Sequence, residues 1–580
     1  MRTILSRVKF NKKQMVVMIV FAIIASLAQM VAPMLVSKMI DGVSENKKTT
    51  IIILALVMVG LSVLACLTNI VSTNLAAKLT TKFSADLRKE IFYNVQGFSA
   101  AEIDKFGTAS LITRNTTDVT MIQSFLVLLF RLGLLAPLMA VMGLIFGVAS
   151  SGALAVVIAI AIPVLIAFVT AILITASRYS VKLRNKIDAI NKRFLETLEG
   201  VRVIRAFNRQ ADEMKRFDEI NEDTTEVSRK SIAISGMMNP VVTALFGLTS
   251  VGAMLVGTYQ VMQDSLDVAS LVSATQYINI ILIAITLLAT VVSMFPDAYA
   301  CVKRVSAVLE TEVSIRDYDK ETPARTCRGT VEFRNVTFAY PGADAPVFKD
   351  VSFVSKPGET TAIIGRTGCG KSSIVKLIPR LYDASFGEIL VDGVNVKKYK
   401  LDELRDMVGY VPQKNVLFTG DIGENLNYGN ENGNEAEWKE AAHIACADEF
   451  VEKKEGAYHA TVSQGGTNFS GGQRQRLAIA RAVMKKAEVY IFDDSFSALD
   501  MKTDKQLRQN LKESMGDSTM IVVAQRVSTI MDATRIIVLE DGEVAGMGTH
   551  KELLNSCRLY REIAEIQLGK EEVEHELESV

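Results

Sequence analysis

Gly365-Arg366-Thr367-Gly368-Cys369-Gly370-Lys371-Ser372, followed by Ser373, decides the fold of this 580-residue chain. The stretch follows a short apolar run, Thr361 to Ile364, and precedes the helix-compatible run Ser373 to Ile378. It therefore reads as the turn between a strand and a helix. Glycines at 365, 368 and 370 let backbone N–H groups point inward around phosphate oxygens, and the following helix adds the positive end of its dipole. Lys371 is then placed for the β- and γ-phosphates, and the Ser372 hydroxyl for Mg²⁺. Chance would supply this pattern in a chain of such length only about 0.02 times. A nucleotide-binding domain is the reading.

The composition divides the chain. Apolar residues make up 49%, more than a soluble enzyme needs and less than a chain lying wholly in lipid carries. Lysine plus arginine and aspartate plus glutamate both number 64, so net charge gives no support to a nucleic-acid partner. The six cysteines, 66, 301, 327, 369, 446 and 557, show neither paired nor metal-ligand spacing and read as free thiols.

Six apolar runs occupy the first half, near 15–40, 50–72, 120–148, 153–176, 236–262 and 268–294, each long enough to cross a bilayer. Six crossings return the chain to its starting side, so the N-terminus and the nucleotide domain share the cytosol. Arg2, Arg7, Lys9, Lys12 and Lys13, with the Lys- and Arg-dense stretch Arg178 to Lys230, give the same orientation by the positive-inside rule. The basic leader carries no small-residue cleavage site and does not read as a removable signal. The proline-free stretches from Pro33 to Pro137 and from Pro163 to Pro240 predict helices much longer than the membrane is thick. These form two cytosolic hairpins with tips near Gly97 to Gly107 and Gly200 to Phe207. They read as levers rather than merely solvated helices. Arg131 and Asp297 face either a wet interior or the cytosolic ends. Met30, Met34, Met139, Met142, Phe130 and Phe146 fit a yielding apolar cavity or ordinary helix packing equally well.

The remaining motifs carry the family resemblance. Asn468-Phe469-Ser470-Gly471-Gly472-Gln473 opens a helix predicted over Gln473 to Met484, with Ser470 as its cap. Glu488 to Asp493 reads as a buried strand ending in an aspartate. In this order and spacing, with Tyr340, Val411-Pro412-Gln413 and Ser497-Ala498-Leu499-Asp500, the chain resembles one half of an ABC exporter. Phe106-Gly107, Arg114 to Asp118 and Glu199 to Phe207 resemble the intracellular loops of that family, though these are less specific.

The resemblance implies a six-span α-helical transmembrane domain with long cytosolic helical extensions (1–312), a linker (313–329), an α/β P-loop ABC ATPase domain (330–567) and an acidic tail (568–580). ATP and Mg²⁺ are the implied cofactors. Tyr340 stacks on adenine, Gly365 to Ser373 hold the phosphates, Ser372, Gln413 and Asp493 serve the metal, and Phe469 to Gln473 complete an ATP site on a partner subunit. Ser497 to Asp500 form the D-loop.

Two positions depart from the family pattern. Asp494 stands where a catalytic glutamate is usual, one methylene shorter than a base that must come within about 2.6–3.2 Å of its proton. Gln525 stands where histidine is usual, and an amide cannot carry a proton charge. With Gln413, these are the candidate catalytic positions, and they imply a degenerate site paired with a second, competent half-transporter. A homodimer with two slow sites and an ATP-gated regulatory subunit are the alternatives. The short leader leaves no room for a fused peptidase. The implied setting is a bacterial plasma (inner) membrane, with lipid around the spans and an amphipathic small molecule, a lipid or a peptide as cargo.

Overall fold

The computed structural model describes residues 2–8, 10–150, 152–318 and 321–578. Lys9 of the leader, Asp319 and Lys320 of the linker, and Ser579 and Val580 of the tail lie outside the described residues. The chain divides into two compact units. One comprises Met1–Gln96 and Thr108–Thr311, and the other Gly97–Gly107 and Glu312–Val580.

The first unit is helical. Lys12–Ser44, Lys48–Gln96, Val119–Ser150, Gly152–Glu199, Gln210–Gly236, Met238–Met262 and Val268–Glu310 are its long helices, and six spans among the described residues have the length and composition to cross a membrane. Lys48–Gln96 has 49 residues, about 74 Å at 1.5 Å per residue against about 30 Å of hydrocarbon. None of its most apolar window is buried within the chain, so that surface needs lipid or another protein as its solvent. The helical breaks fall at the expected places, with the short helix Val201–Ala206 in this unit and Ala100–Phe106 in the other. Met30, Met139, Met142 and Phe146 pack in one cluster with Ala284, so helix packing accounts for most of the methionine wall; Met34 is exposed. Asp297 accepts from Arg184 at 3.0 Å, joining two long helices through an exposed ion pair.

The second unit carries two main sheets. Strands β1 (Val331–Phe338), β2 (Phe348–Ser355), β3 (Thr360–Gly365), β4 (Phe386–Val391), β5 (Val394–Asn395), β6 (Val408–Val411), β7 (Gly420–Asp421), β8 (Thr461–Val462), β9 (Val489–Asp493), β10 (Thr519–Val523), β11 (Arg535–Glu540) and β12 (Glu543–Gly548) follow in chain order. A four-stranded antiparallel sheet has the order β2-β1-β4-β5, and a six-stranded sheet the order β12-β11-β3-β10-β9-β6. In the latter, β11, β3, β10, β9 and β6 run parallel. β9 and β10 are buried along their whole length, as a parallel sheet covered on both faces requires. The carboxyl ends of parallel strands are where such sheets place ligands.

Candidate nucleotide site

Four adjacent strands of the parallel sheet deliver the candidate residues at one edge. Gly365 ends β3, Asp493 ends β9, Gln525 lies two residues beyond β10, and Gln413 two beyond β6. Val523 pairs with Ile363 on one side and Asp493 on the other, and Val411 with Phe492. The register alone therefore converges residues separated by more than a hundred positions in the sequence.

The phosphate loop has little room for side chains at two glycines. A Cβ on Gly365 would lie 2.2 Å from the Leu539 carbonyl oxygen, and Gly370 has φ 97° with Val347 3.0 Å from where its Cβ would be. Gly370 caps the helix Lys371–Leu377, which begins two residues before the predicted run. Lys371 is buried, and its Nζ donates to the carbonyls of Gly365 and Arg366 at 2.8 and 2.9 Å. The ammonium is thus held at the rim of the loop by exchangeable backbone partners. Cys369 is buried beside it, with Sγ 3.8 Å from Nζ. Arg366 is exposed and lies 3.9 Å from Glu562. Tyr340 shares a hydrogen bond with Ser373 at 2.9 Å.

Ser372 Oγ donates to Asp493 Oδ1 at 2.6 Å, while the Tyr410 hydroxyl lies 3.5 Å from Oδ2. Asp493 is only 1% exposed. Burial pushes its carboxyl above the usual range, and the Ser372 hydroxyl opposes that shift. A hydroxyl beside a buried carboxylate is a donor set suited to a magnesium ion, which takes oxygen ligands and retains waters. The residues present fit a magnesium-bound nucleotide.

Asp494 turns into the left-handed region at φ 51°, which aspartate tolerates better than most residues. Its Oδ2 accepts from Gln525 Nε2 at 2.8 Å and from Gln413 Nε2 at 3.3 Å. Burial raises the carboxyl's pKa, against the pull of the Gln413 amide and other donors. Both departures from the family pattern therefore meet in one hydrogen-bonded group.

Ser470 to Gln473 make their bonds with each other. Ser470 Oγ accepts from Gln473 N at 3.3 Å, and Gln473 Oε1 accepts from Ser470 N at 3.0 Å, a reciprocal capping box. The helix is Gly471–Met484 and so begins two residues before the predicted Gln473. Phe469 is buried against Phe450 and under the Lys454 ammonium. Asp500 caps the helix Met501–Ser514, its Oδ1 accepting from Thr503 N at 3.0 Å. Ser497 Oγ donates to the Asp494 carbonyl at 3.0 Å.

Gln475 was not among the candidates. It is buried, donates to the Asp494 carbonyl at 3.2 Å and accepts from Ala498 N at 3.2 Å, tying the helix Gly471–Met484 to the D-loop. A polar residue beside Leu477 and Ala478, on the apolar side of that helix, was the available signal. Gln567 likewise brackets the Gln525 segment, accepting from Val527 N at 2.7 Å and donating to the Gln525 carbonyl at 2.8 Å.

A phosphate loop and a buried aspartate at the carboxyl edge of a parallel sheet, in a chain that also holds six long apolar helices, define a membrane protein with a fused P-loop ATPase domain. Family models place it further: residues 15–285 match the ABC transporter transmembrane region and residues 348–497 match the ABC transporter domain. An uncharacterized ABC transporter ATP-binding protein of Mycobacterium tuberculosis is 36% identical over 561 residues, 96% of each chain. The ATP-dependent lipid A-core flippase of Escherichia coli is 29% identical over 535 residues, 91% of each. The solved structure of a bacterial Atm1-family ABC exporter with ATP bound superposes with TM-score 0.79, at 24% identity, covering 95% of this chain and 98% of that one. The chain belongs to the ABC transporter family. It has the architecture of an exporter half: one six-helix transmembrane region fused to one ATPase domain.

Proposed function

We propose that this chain is one half of an ATP-driven exporter in which its own nucleotide site grips ATP and hydrolyses it poorly, while its Phe469 to Gln473 segment completes the competent site of a different half-transporter. The observation that carries the reading is the Asp494 carboxylate held by two glutamine amides, Gln413 and Gln525. Neither amide can take or return a proton at neutral pH.

In this reading Lys371 releases its backbone carbonyls to bind phosphate oxygens, with the P-loop amides around it. Ser372 and Asp493 would hold Mg²⁺, which would supply positive charge against the phosphates. Tyr340 stacks on the base. Gln413 orients water or metal at the γ-phosphate, and Ser497 to Asp500 line the junction with the partner. Nucleotide binding closes the paired ATPase domains, the cytosolic hairpins transmit that closure, and hydrolysis at the partner's site resets it. The leader and the ATPase domain are cytosolic, and the spans cross the plasma membrane. The flippase among the relatives supports an amphipathic or lipid cargo.

The presence of Asp494 in the site favours one second reading, a homodimer with two slow sites in which Asp494 acts through water. The chain purified alone and with a candidate partner half, assayed for ATPase with and without the partner's catalytic glutamate changed to glutamine, separates the two. Activity that needs the partner and vanishes with its glutamate supports the heterodimer. Comparable activity from the chain alone replaces it with the homodimer.

A further inference from the structure

The helix Ala100–Phe106 lies in sequence between two membrane-spanning helices yet belongs to the unit built on Glu312–Val580. Three sets of contacts hold it there. Ala100 and Ala101 pack on the core that contains Phe338 and Tyr382. Glu102 accepts from Ser99 at its own helix start, at 2.8 Å from the backbone N, and from Ser314 N at 3.2 Å. Asp104 Oδ2 accepts from the Tyr382 hydroxyl at 2.6 Å.

The third contact leads into the nucleotide site. Tyr382 is 6% exposed, and its ring stands edge-to-face on Tyr340 at 5.2 Å and on Phe338 at 5.7 Å. Phe338 and Tyr340 meet in the same manner at 4.9 Å. Tyr340 is bonded in turn to Ser373, the neighbour of the Ser372 that donates to Asp493. Three mutually edge-to-face rings do not reorient independently. A buried phenol also needs a hydrogen-bond partner, and its bond to a carboxylate is of the strong, charge-assisted kind.

We propose that Tyr382 is a positioning residue that couples occupancy of the nucleotide site to the helix Ala100–Phe106, through its ring contact with Tyr340 and its hydrogen bond to Asp104. The inference rests on the reading of Tyr340 as the residue that stacks on the base. A base lying on Tyr340 fixes that ring, the ring fixes Tyr382, and Tyr382 fixes the anchor of a helix continuous in sequence with the membrane spans. Coupling is reciprocal, so a firm Asp104 anchor also favours the nucleotide-bound state.

The test uses the full-length chain in lipid nanodiscs, with the magnesium complex of AMP-PNP as probe and backbone hydrogen exchange as readout. In the wild type, nucleotide slows exchange both in the P-loop helix, residues 371–377, and in residues 100–106, the latter by about fivefold or more. Tyr382→Phe keeps the ring and removes the phenol. It retains the slowing at 371–377 and loses most of that at 100–106. Asp104→Ala behaves the same way, and Asp104→Asn, which can still accept, restores much of the coupling. The inference is overturned if Tyr382→Phe leaves the nucleotide-dependent slowing at 100–106 intact. It is also overturned if the variant speeds exchange there equally with and without nucleotide, which is a purely structural effect. Wild-type protection at 371–377 without any at 100–106 overturns this inference alone. No protection at either overturns the nucleotide-site reading beneath it.

Discussion

Asp493 and Asp494 carry the same side chain at adjacent positions and meet opposite surroundings. Asp493 completes β9 with extended backbone, nearly sealed from solvent, with hydroxyls of Ser372 and Tyr410 at its two oxygens. Asp494 swings into the left-handed region, and one of its oxygens takes amides from both Gln413 and Gln525. The first environment suits a cation; the second positions a carboxylate but offers it no proton relay. On the proposed reading, gripping nucleotide and cleaving it fall to two consecutive residues, because the strand fixes one and the turn after it aims the other.

The largest expected effect tests the turn. Asp494→Glu combined with Gln525→His restores reach and a titratable partner, and single-turnover hydrolysis at this chain's own site rises about 10²- to 10⁴-fold. An unchanged rate breaks the contrast and puts the limit elsewhere. The next effect tests the grip. Lys371→Ala removes a charged donor, worth about 1.5–3 kcal/mol, and weakens nucleotide binding about 10- to 100-fold in a fluorescence titration. Wild-type affinity in that variant removes the lysine from the site.

The ATPase half was legible where chemistry fixes residue type locally. Glycines at 365 and 370 face a carbonyl and an apolar contact with no space for larger side chains, and Ser470 with Gln473 closes a capping box within four residues. The membrane half was legible because lipid demands long apolar runs, and the helical breaks fall near Gly107 and Gly200 as read. Gln475, Gln567, Tyr382 and Tyr410 were missed for the converse reason. Each owes its role to partners tens to hundreds of positions away, as Tyr382 does to Asp104, and single-chain spacing does not encode such a meeting. The helix start at Gly471 was also missed, because glycine is a poor helix former in itself, and here the capping serine fixes the start instead.

Gln475 gives a smaller effect that sharpens the same contrast, since it binds the backbone of Asp494 and not its carboxylate. Gln475→Ala removes the buried amide that joins the Asp494 carbonyl to the Ala498 N–H, while Ser497 Oγ still serves the carbonyl and solvent reaches Ala498. It lowers stability by about 0.5–1.5 kcal/mol, read as an earlier denaturant midpoint of the ATPase unit. A wild-type midpoint makes the bridge incidental.

The smallest effect concerns what Asp493 costs when no cation is bound. Burial raises its folded-state pKa above the unfolded value, so between those two values the native protein holds more protons than the unfolded chain. By linkage, stability then falls as pH rises through that window, and the whole cost is present above the folded pKa. Asp493→Asn keeps an acceptor for Ser372 and removes the charge. Without nucleotide, its melting temperature at pH 7.5 exceeds the wild type's by about 1–3 °C, and the difference shrinks as pH is lowered and the wild-type carboxyl protonates. Asp494 remains in both proteins, and because its charge helps raise the Asp493 pKa, part of the gain is relief of that repulsion. Magnesium and ATP reverse the order, stabilising the wild type more than the variant, because only the carboxylate brings a negative charge to the ion. An aspartate that destabilises the empty site and stabilises the loaded one is kept for the cation. If Asp493→Asn melts lower than the wild type at every pH, the Ser372–Asp493 pair is holding the fold together, and the contrast with Asp494 is one of structure against function rather than of grip against cleavage.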